Sequence, residues 1–130
     1  MKTVLTVDRS QVVRAVVERH LERFDCRFVE ATTADDAIAA VHAHDPDLVL
    51  VESTVHAAAV RSGDARYREA RVVLLATDHP GSVRLHDDPQ VIASLRKPFD
   101  RTGFDHAVAK VLGAPRSAAA AMHVAQGAAR

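Results

Sequence analysis

Residues 48–51 read Leu-Val-Leu-Val, four aliphatic side chains in a row, entered through Pro46-Asp47 and closed by the carboxylate of Glu52. A run without polar alternation fits a strand buried on both faces, as in a parallel sheet covered by helices on either side. In an open sheet of that kind ligands bind beyond the carboxyl ends of the strands, so Glu52 falls on the functional edge. The 130-residue length allows a single domain with one well-buried core. With 17 basic against 17 acidic residues, the chain has no electrostatic case for a nucleic-acid or membrane partner. The lone Cys26 cannot make an internal disulfide and reads as a small buried hydrophobe in a reducing compartment. The apolar stretch at residues 3–7 is too short for a signal h-region, and no apolar span of about 20 residues follows it, so a cytoplasmic location is expected.

Strand and helix signals alternate along the chain. Residues 3–7 are β-branched and apolar and stop at Asp8-Arg9-Ser10, a first strand followed by a helix cap. A first helix is predicted over residues 10–24, with Val13, Val16, Val17, His20, Leu21 and Phe24 on one stripe facing a sheet. His20 is expected to be a core-edge residue rather than a ligand, because no second ligand lies within one turn. Residues 26–31 make a second strand. Thr33 with Asp36 resembles a capping box opening a second helix through about Ala43, with Ala37, Ile38 and Val41 inward. The spacing of His42 and His44 points their rings apart, which argues against a metal site.

After the third strand, residues 57–69 predict a helical segment interrupted by Ser62-Gly63. Residues 72–75 form a fourth buried strand, residues 77–81 a loop, and residues 82–88 at most two helical turns before Pro89. A fifth strand at residues 91–95 leads through Lys97-Pro98-Phe99 into a last helix near Asp100, with Phe104, Val108, Val111 and Leu112 as its stripe and Gly113 at its end. This alternation predicts an α/β fold, a doubly wound five-stranded parallel sheet with helices on both faces. The domain is expected over residues 1–113. Residues 114–130 form an alanine-rich C-terminal tail, a frayed helix or disordered segment that orders only by docking.

Three motifs at the ends of these strands carry a resemblance: Val4-Leu5-Thr6-Val7-Asp8-Arg9-Ser10, Pro46-Asp47-Leu48-Val49-Leu50-Val51-Glu52 and Leu95-Arg96-Lys97-Pro98-Phe99. In that order and spacing, over residues 2–112, the chain resembles the receiver domain of the response-regulator family, near the size of a single-domain chemotaxis-type regulator. The resemblance implies a flavodoxin-like strand order 2-1-3-4-5, with the active edge where strands 1 and 3 diverge. It also implies a cis Lys97-Pro98 bond.

The resemblance gives each position a role, and the chain departs from most of them. A receiver has two adjacent acids after strand 1 that help bind Mg²⁺. Here the first is Asp8 and the second is Arg9, a cation that cannot ligate a metal. Glu52 stands where the phosphoacceptor aspartate belongs, and its extra methylene moves the nucleophilic oxygen by about 1.5 Å, comparable to displacements that cost roughly 100-fold in rate. Ala76 stands where a strand-4 hydroxyl belongs, with Thr77 one residue late and facing the opposite way. Ser94 stands where the switch aromatic belongs, whereas Lys97 and Pro98 are retained. Together these residues outline a degenerate phosphoacceptor pocket, with no catalytic residue, cofactor or metal expected.

Two arrangements of the charged residues are open. Asp8, Arg9, Glu52 and Lys97 form a balanced cluster that keeps the pocket intact, or Glu52 reaches toward Lys97 in imitation of a phosphorylated aspartate while Arg9 occupies the metal's place. Either way the implied function is a phosphorylation-independent pseudo-receiver. That is a non-enzymatic protein-interaction module of two-component signalling, with a signalling-protein partner and room for a homodimer. The alternatives are an atypical receiver phosphorylated on Glu52 by a histidine kinase, and a flavodoxin-like small-ligand binder. No glycine-rich phosphate loop follows strand 1 to support the last of these.

Overall fold

The computed structural model describes residues 1–76 and 88–116. The aliphatic and β-branched runs become β1 (Lys2–Val7), β2 (Cys26–Ala31), β3 (Leu48–Glu52), β4 (Val72–Ala76) and β5 (Val91–Arg96). Between and after them lie α1 (Gln11–Leu21), α2 (Ala34–His44), α3 (Ser53–Arg61), α4 (Ala65–Glu69) and α5 (Arg101–Leu112). All strand pairs are parallel and the order is β2-β1-β3-β4-β5, the expected doubly wound arrangement. The expected helix at residues 82–88 lies, apart from Asp88, outside the described residues, as does the tail beyond Arg116.

Alternation along the buried strands divides the core in two. Val4, Leu48, Leu50, Val73, Leu75 and Leu95 point to one face and pack with Val17, Leu21 and Phe24 of the α1 region and Phe104 and Val108 of α5. Leu5, Val7, Val49, Val51, Val72 and Leu74 point to the other and pack with Ala37 and Val41 of α2, Val55 and Ala59 of α3, and Tyr67 of α4.

Helix starts follow their caps. Ser10 accepts the Val13 N–H at 3.2 Å, Thr33 accepts that of Asp36 at 3.1 Å, and Asp100 accepts that of Gly103 at 2.8 Å. The expected capping box is only half formed, because the Asp36 carboxylate takes the Thr32 hydroxyl at 3.3 Å. Of the stripe expected on the first helix, Val17, Leu21 and Phe24 are buried and Val13 packs partly buried against the same core. Val16 is 41% exposed, because this part of α1 borders the Lys97–Pro98–Phe99 loop rather than the sheet. His20 is half-buried at the core edge as expected, stacked on Phe104 with ring centroids 4.7 Å apart.

The helical segment expected at residues 57–69 ends where expected, at Glu69, and differs at its start. It begins four residues earlier, at Ser53, directly after Glu52. It then breaks where expected, at Ser62-Gly63, where Gly63 takes φ +76° and the chain restarts as α4 under the Asp64 cap. Gly113 closes α5 at φ +73°. Beyond it Arg116 folds back onto the carboxyl end of α1. Its N–H donates to the Arg23 carbonyl at 2.6 Å and its guanidinium to the Glu22 carbonyl at 2.9 Å.

Candidate functional site

The parallel register brings the ends of β1, β3, β4 and β5 to one edge. Val7 pairs with Val51, Glu52 with Leu75, and Ala76 with Arg96. Asp8 follows β1 and is nearly fully buried. Its Oδ2 accepts from Lys97 Nζ at 2.5 Å, its Oδ1 accepts the Ser10 N–H at 2.9 Å, and its carbonyl accepts from Arg14 at 2.7 Å. Lys97 is held by a backbone bond from its N–H to the Ala76 carbonyl at 2.8 Å and by a cis Lys97-Pro98 peptide, the form the resemblance implies. The two residues form a largely buried ion pair, satisfied on both sides.

Glu52 is engaged elsewhere. One of its oxygens, Oε2, accepts the Val55 N–H at 3.0 Å and the Thr54 hydroxyl at 2.5 Å, so the carboxylate is the N-cap of α3. A negative charge there also complements the partial positive charge of the helix start. This is why α3 begins without an intervening loop. Arg9 is exposed, and among the described residues neither Arg9 nor Glu52 has an ion-pair partner. The four-residue charge cluster therefore reduces to the Asp8–Lys97 pair, and Glu52 does not reach Lys97. A longer carboxylate at a strand end finds the nearest free helix N–H groups before it finds a lysine whose charge is already neutralised.

Of the remaining pocket positions, Ala76 stays at this edge through its backbone bond with Lys97. Ala76 is buried at the end of β4, Ser94 is exposed on β5, and Thr77 lies outside the described residues. The residues present do not fit Mg²⁺. Of the acids at this edge, Asp8 has its oxygens occupied by Lys97 and Ser10, Glu52 is bound to α3, and the second acid position is Arg9. Among the described residues no three His, Cys, Asp or Glu side chains gather as a metal site.

A second polar group was missed by sequence reasoning. His56, on the inner side of α3, is completely buried, and its Nδ1 lies 2.7 Å from the Tyr67 hydroxyl. Its Nε2 lies 3.7 Å from Asp88 Oδ2, too far for a hydrogen bond, and is an unpartnered buried nitrogen. Asp88 is itself anchored by Arg68 at 2.8 Å and by the Gln90 N–H at 3.0 Å, while Gln90 donates to the Tyr67 carbonyl at 2.5 Å. Burial pushes the His56 imidazole below its ordinary pKa, with nearby Asp88 opposing that shift and Arg68 reinforcing it. Burial likewise pushes the Tyr67 phenol up. The available signal was a histidine at helical spacing with Val55 and Ala59 beside the chain's one tyrosine, whose buried hydroxyl needs a partner.

No family model matches the sequence, and no curated protein matches it as a relative. Solved structures do match the fold. The signal receiver domain of a response regulator from Bermanella marisrubri superposes with a TM-score of 0.71 at 18% identity, over 84% of this chain and 96% of that one. The chemotaxis response regulator CheY4 of Vibrio cholerae gives 0.67 at 20% identity, over 86% and 99%. A response regulator receiver modulated diguanylate cyclase from Pelobacter carbinolicus gives 0.62 at 19% identity, over 78% and 84%.

Proposed function

We propose, from the premise that the chain has the receiver-domain fold, that it is a phosphorylation-independent pseudo-receiver: a cytoplasmic protein-interaction module of two-component signalling, and not a catalyst. One observation carries the reading. The residue in the phosphoacceptor position spends its carboxylate on the N-terminus of α3, while Asp8 and Lys97 neutralise each other. A phosphoryl transfer at this edge needs a free, correctly placed carboxylate and a cation to stabilise the developing charge. Glu52 Oε2 caps α3, which turns the carboxylate onto that helix, and Lys97 is neutralised by Asp8, so attack by the other oxygen would start from a misdirected side chain without an unpaired lysine beside it. Arg9 beside them opposes a divalent cation. Without a phosphoryl signal, the module acts through its surface on a signalling protein or a second copy.

The test is to incubate the full chain with beryllofluoride or acetyl phosphate and Mg²⁺, read by intact mass and by amide chemical shifts around residues 8, 52 and 97. The expected outcome is no adduct and no shift. A phosphoryl adduct on Glu52 would replace this reading with that of an atypical receiver served by a histidine kinase.

A further inference from the structure

We propose that Tyr67, His56 and Asp88 form an acid-labile joint, which holds α4 against α3 and the start of β5 when His56 is neutral and loosens when His56 takes a second proton. The neutral state is settled by the two neighbours of the ring. A bare Nε2 lone pair facing the Asp88 carboxylate at 3.7 Å would be repelled, so the proton belongs on Nε2. Nδ1 is then the acceptor for the Tyr67 hydroxyl at 2.7 Å. Tyr67 is thereby held twice, its hydroxyl by α3 and its carbonyl by Gln90, which is how a five-residue helix keeps its place.

A second proton must land on Nδ1, where the Tyr67 hydroxyl hydrogen already points. The hydroxyl would have to turn away, and among the described residues it has no other acceptor inside a fully buried site. Relief by Asp88 is limited. Its Oδ2 is held at 2.8 Å by Arg68, whose charge also repels an imidazolium, and its Oδ1 by the Gln90 N–H. Among the described residues, the other elements packed on α3 bring no compensating charge to the ring. The strands beneath contribute Val51, Val72 and Leu74, and α2 contributes Ala37 and Val41; its Asp35, Asp36 and His44 are exposed, and its exposed His42 pairs at 2.8 Å with Asp64, the cap of α4. Protonation therefore buries a charge and leaves a hydroxyl unpaired, and opening of α4 is the route by which both reach water.

The sign follows from the depressed imidazole. An unfolded or opened chain takes up the proton first as pH falls below about 6.5, while the closed joint resists it. The joint is complete above that value and is lost as pH falls toward the folded-state value. The experiment is an imidazole NMR titration of the full chain from pH 8 to pH 5, with amide hydrogen exchange corrected for intrinsic pH dependence. His56 should titrate below a free imidazole, and protection of the α4 amides should fall over the same interval while β1 and β3 stay protected. His56→Phe should abolish the fall in α4 protection over that interval, whereas His42→Gln, which removes the ring paired with the Asp64 cap, should leave it in place. If that variant does not fold, Asp88→Asn should move the His56 midpoint further down, because the opposing carboxylate is gone. Titration of His56 at or above the free value, an unchanged α4 response in His56→Phe, or an unmoved midpoint in Asp88→Asn would each overturn the proposal.

Discussion

The face of the sheet under α1 and α5 holds all four phenylalanines of the chain, Phe24, Phe28, Phe99 and Phe104, and its polar tie is at the rim, where Arg23 forks onto the Asp105 carboxylate. The face under α2, α3 and α4 is filled by valine and alanine around a single aromatic, Tyr67, and its polar tie is inside, at His56. Large side chains close the first face by apolar area alone, and its charges remain where water screens them. Small side chains on the second leave space that a hydrogen-bonded ring fills, and that ring can change charge. Each face thus carries a histidine, His20 half-buried against Phe104 at the edge of the first and His56 fully buried within the second, where its ring joins α3 to α4.

Phe104 gives the largest test of the comparison. Phe104→Ala should cost about 3–5 kcal/mol in denaturant unfolding, since a fully buried phenylalanine leaves a cavity its neighbours cannot fill. A loss near 1 kcal/mol would mean that this face repacks as easily as the other. Glu52→Ala removes the α3 cap and should cost roughly 1 kcal/mol, with Glu52→Gln costing less because the amide oxygen still accepts. The loss should appear as increased exchange in the first turn of α3, and an effect confined to Lys97 would restore the charge-cluster view. The smallest effect belongs to the Arg23–Asp105 fork. Its hydrogen bond to Arg23 holds the Asp105 carboxyl below the ordinary range, so its contribution is full above about pH 3.9 and is lost as pH falls through the folded value. Both side chains are about a quarter exposed, which limits the contribution to roughly 0.5–1 kcal/mol. Stability of Asp105→Asn and the parent, followed by urea titration from pH 7 to pH 2.5, should converge at the acid end. The fork thus begins to be lost only below about pH 3.9, whereas the His56 joint begins to be lost below about pH 6.5.

The fold was legible because the central strands β3 and β4 are nearly unbroken aliphatic runs, as expected of a parallel sheet buried on both faces, and because strand and helix signals alternate around them. Asp8 and Lys97 were legible as pocket residues through the resemblance of the motifs around them, but their pairing was not, because the sequence allowed either a cluster of four charges or a Glu52–Lys97 contact. The role of Glu52 was not, because glutamate is outside the usual N-cap residues and the first helical turn, Ser53-Thr54-Val55-His56, has no strong helix former. Its placement depended on where the β3 register ended, which only the paired sheet decides. His56 and Tyr67 were missed for a related reason: the Ser62-Gly63 break separates them in sequence, and their meeting depends on how α4 turns back after Gly63. His20 shows the opposite case, where helical spacing alone placed the ring at the core edge.

The backward fold at Arg116 moors the chain. By satisfying carbonyls at the end of α1, it fixes the last described residue beside that helix end. That point lies at the opposite end of α1 from Ser10 and the Asp8–Lys97 pair, an α1 length of roughly 16 Å away at 1.5 Å per residue. Arg23, whose carbonyl accepts the Arg116 N–H, also forks onto Asp105, so one residue ties the carboxyl end of α1 both to α5 and to the chain beyond it.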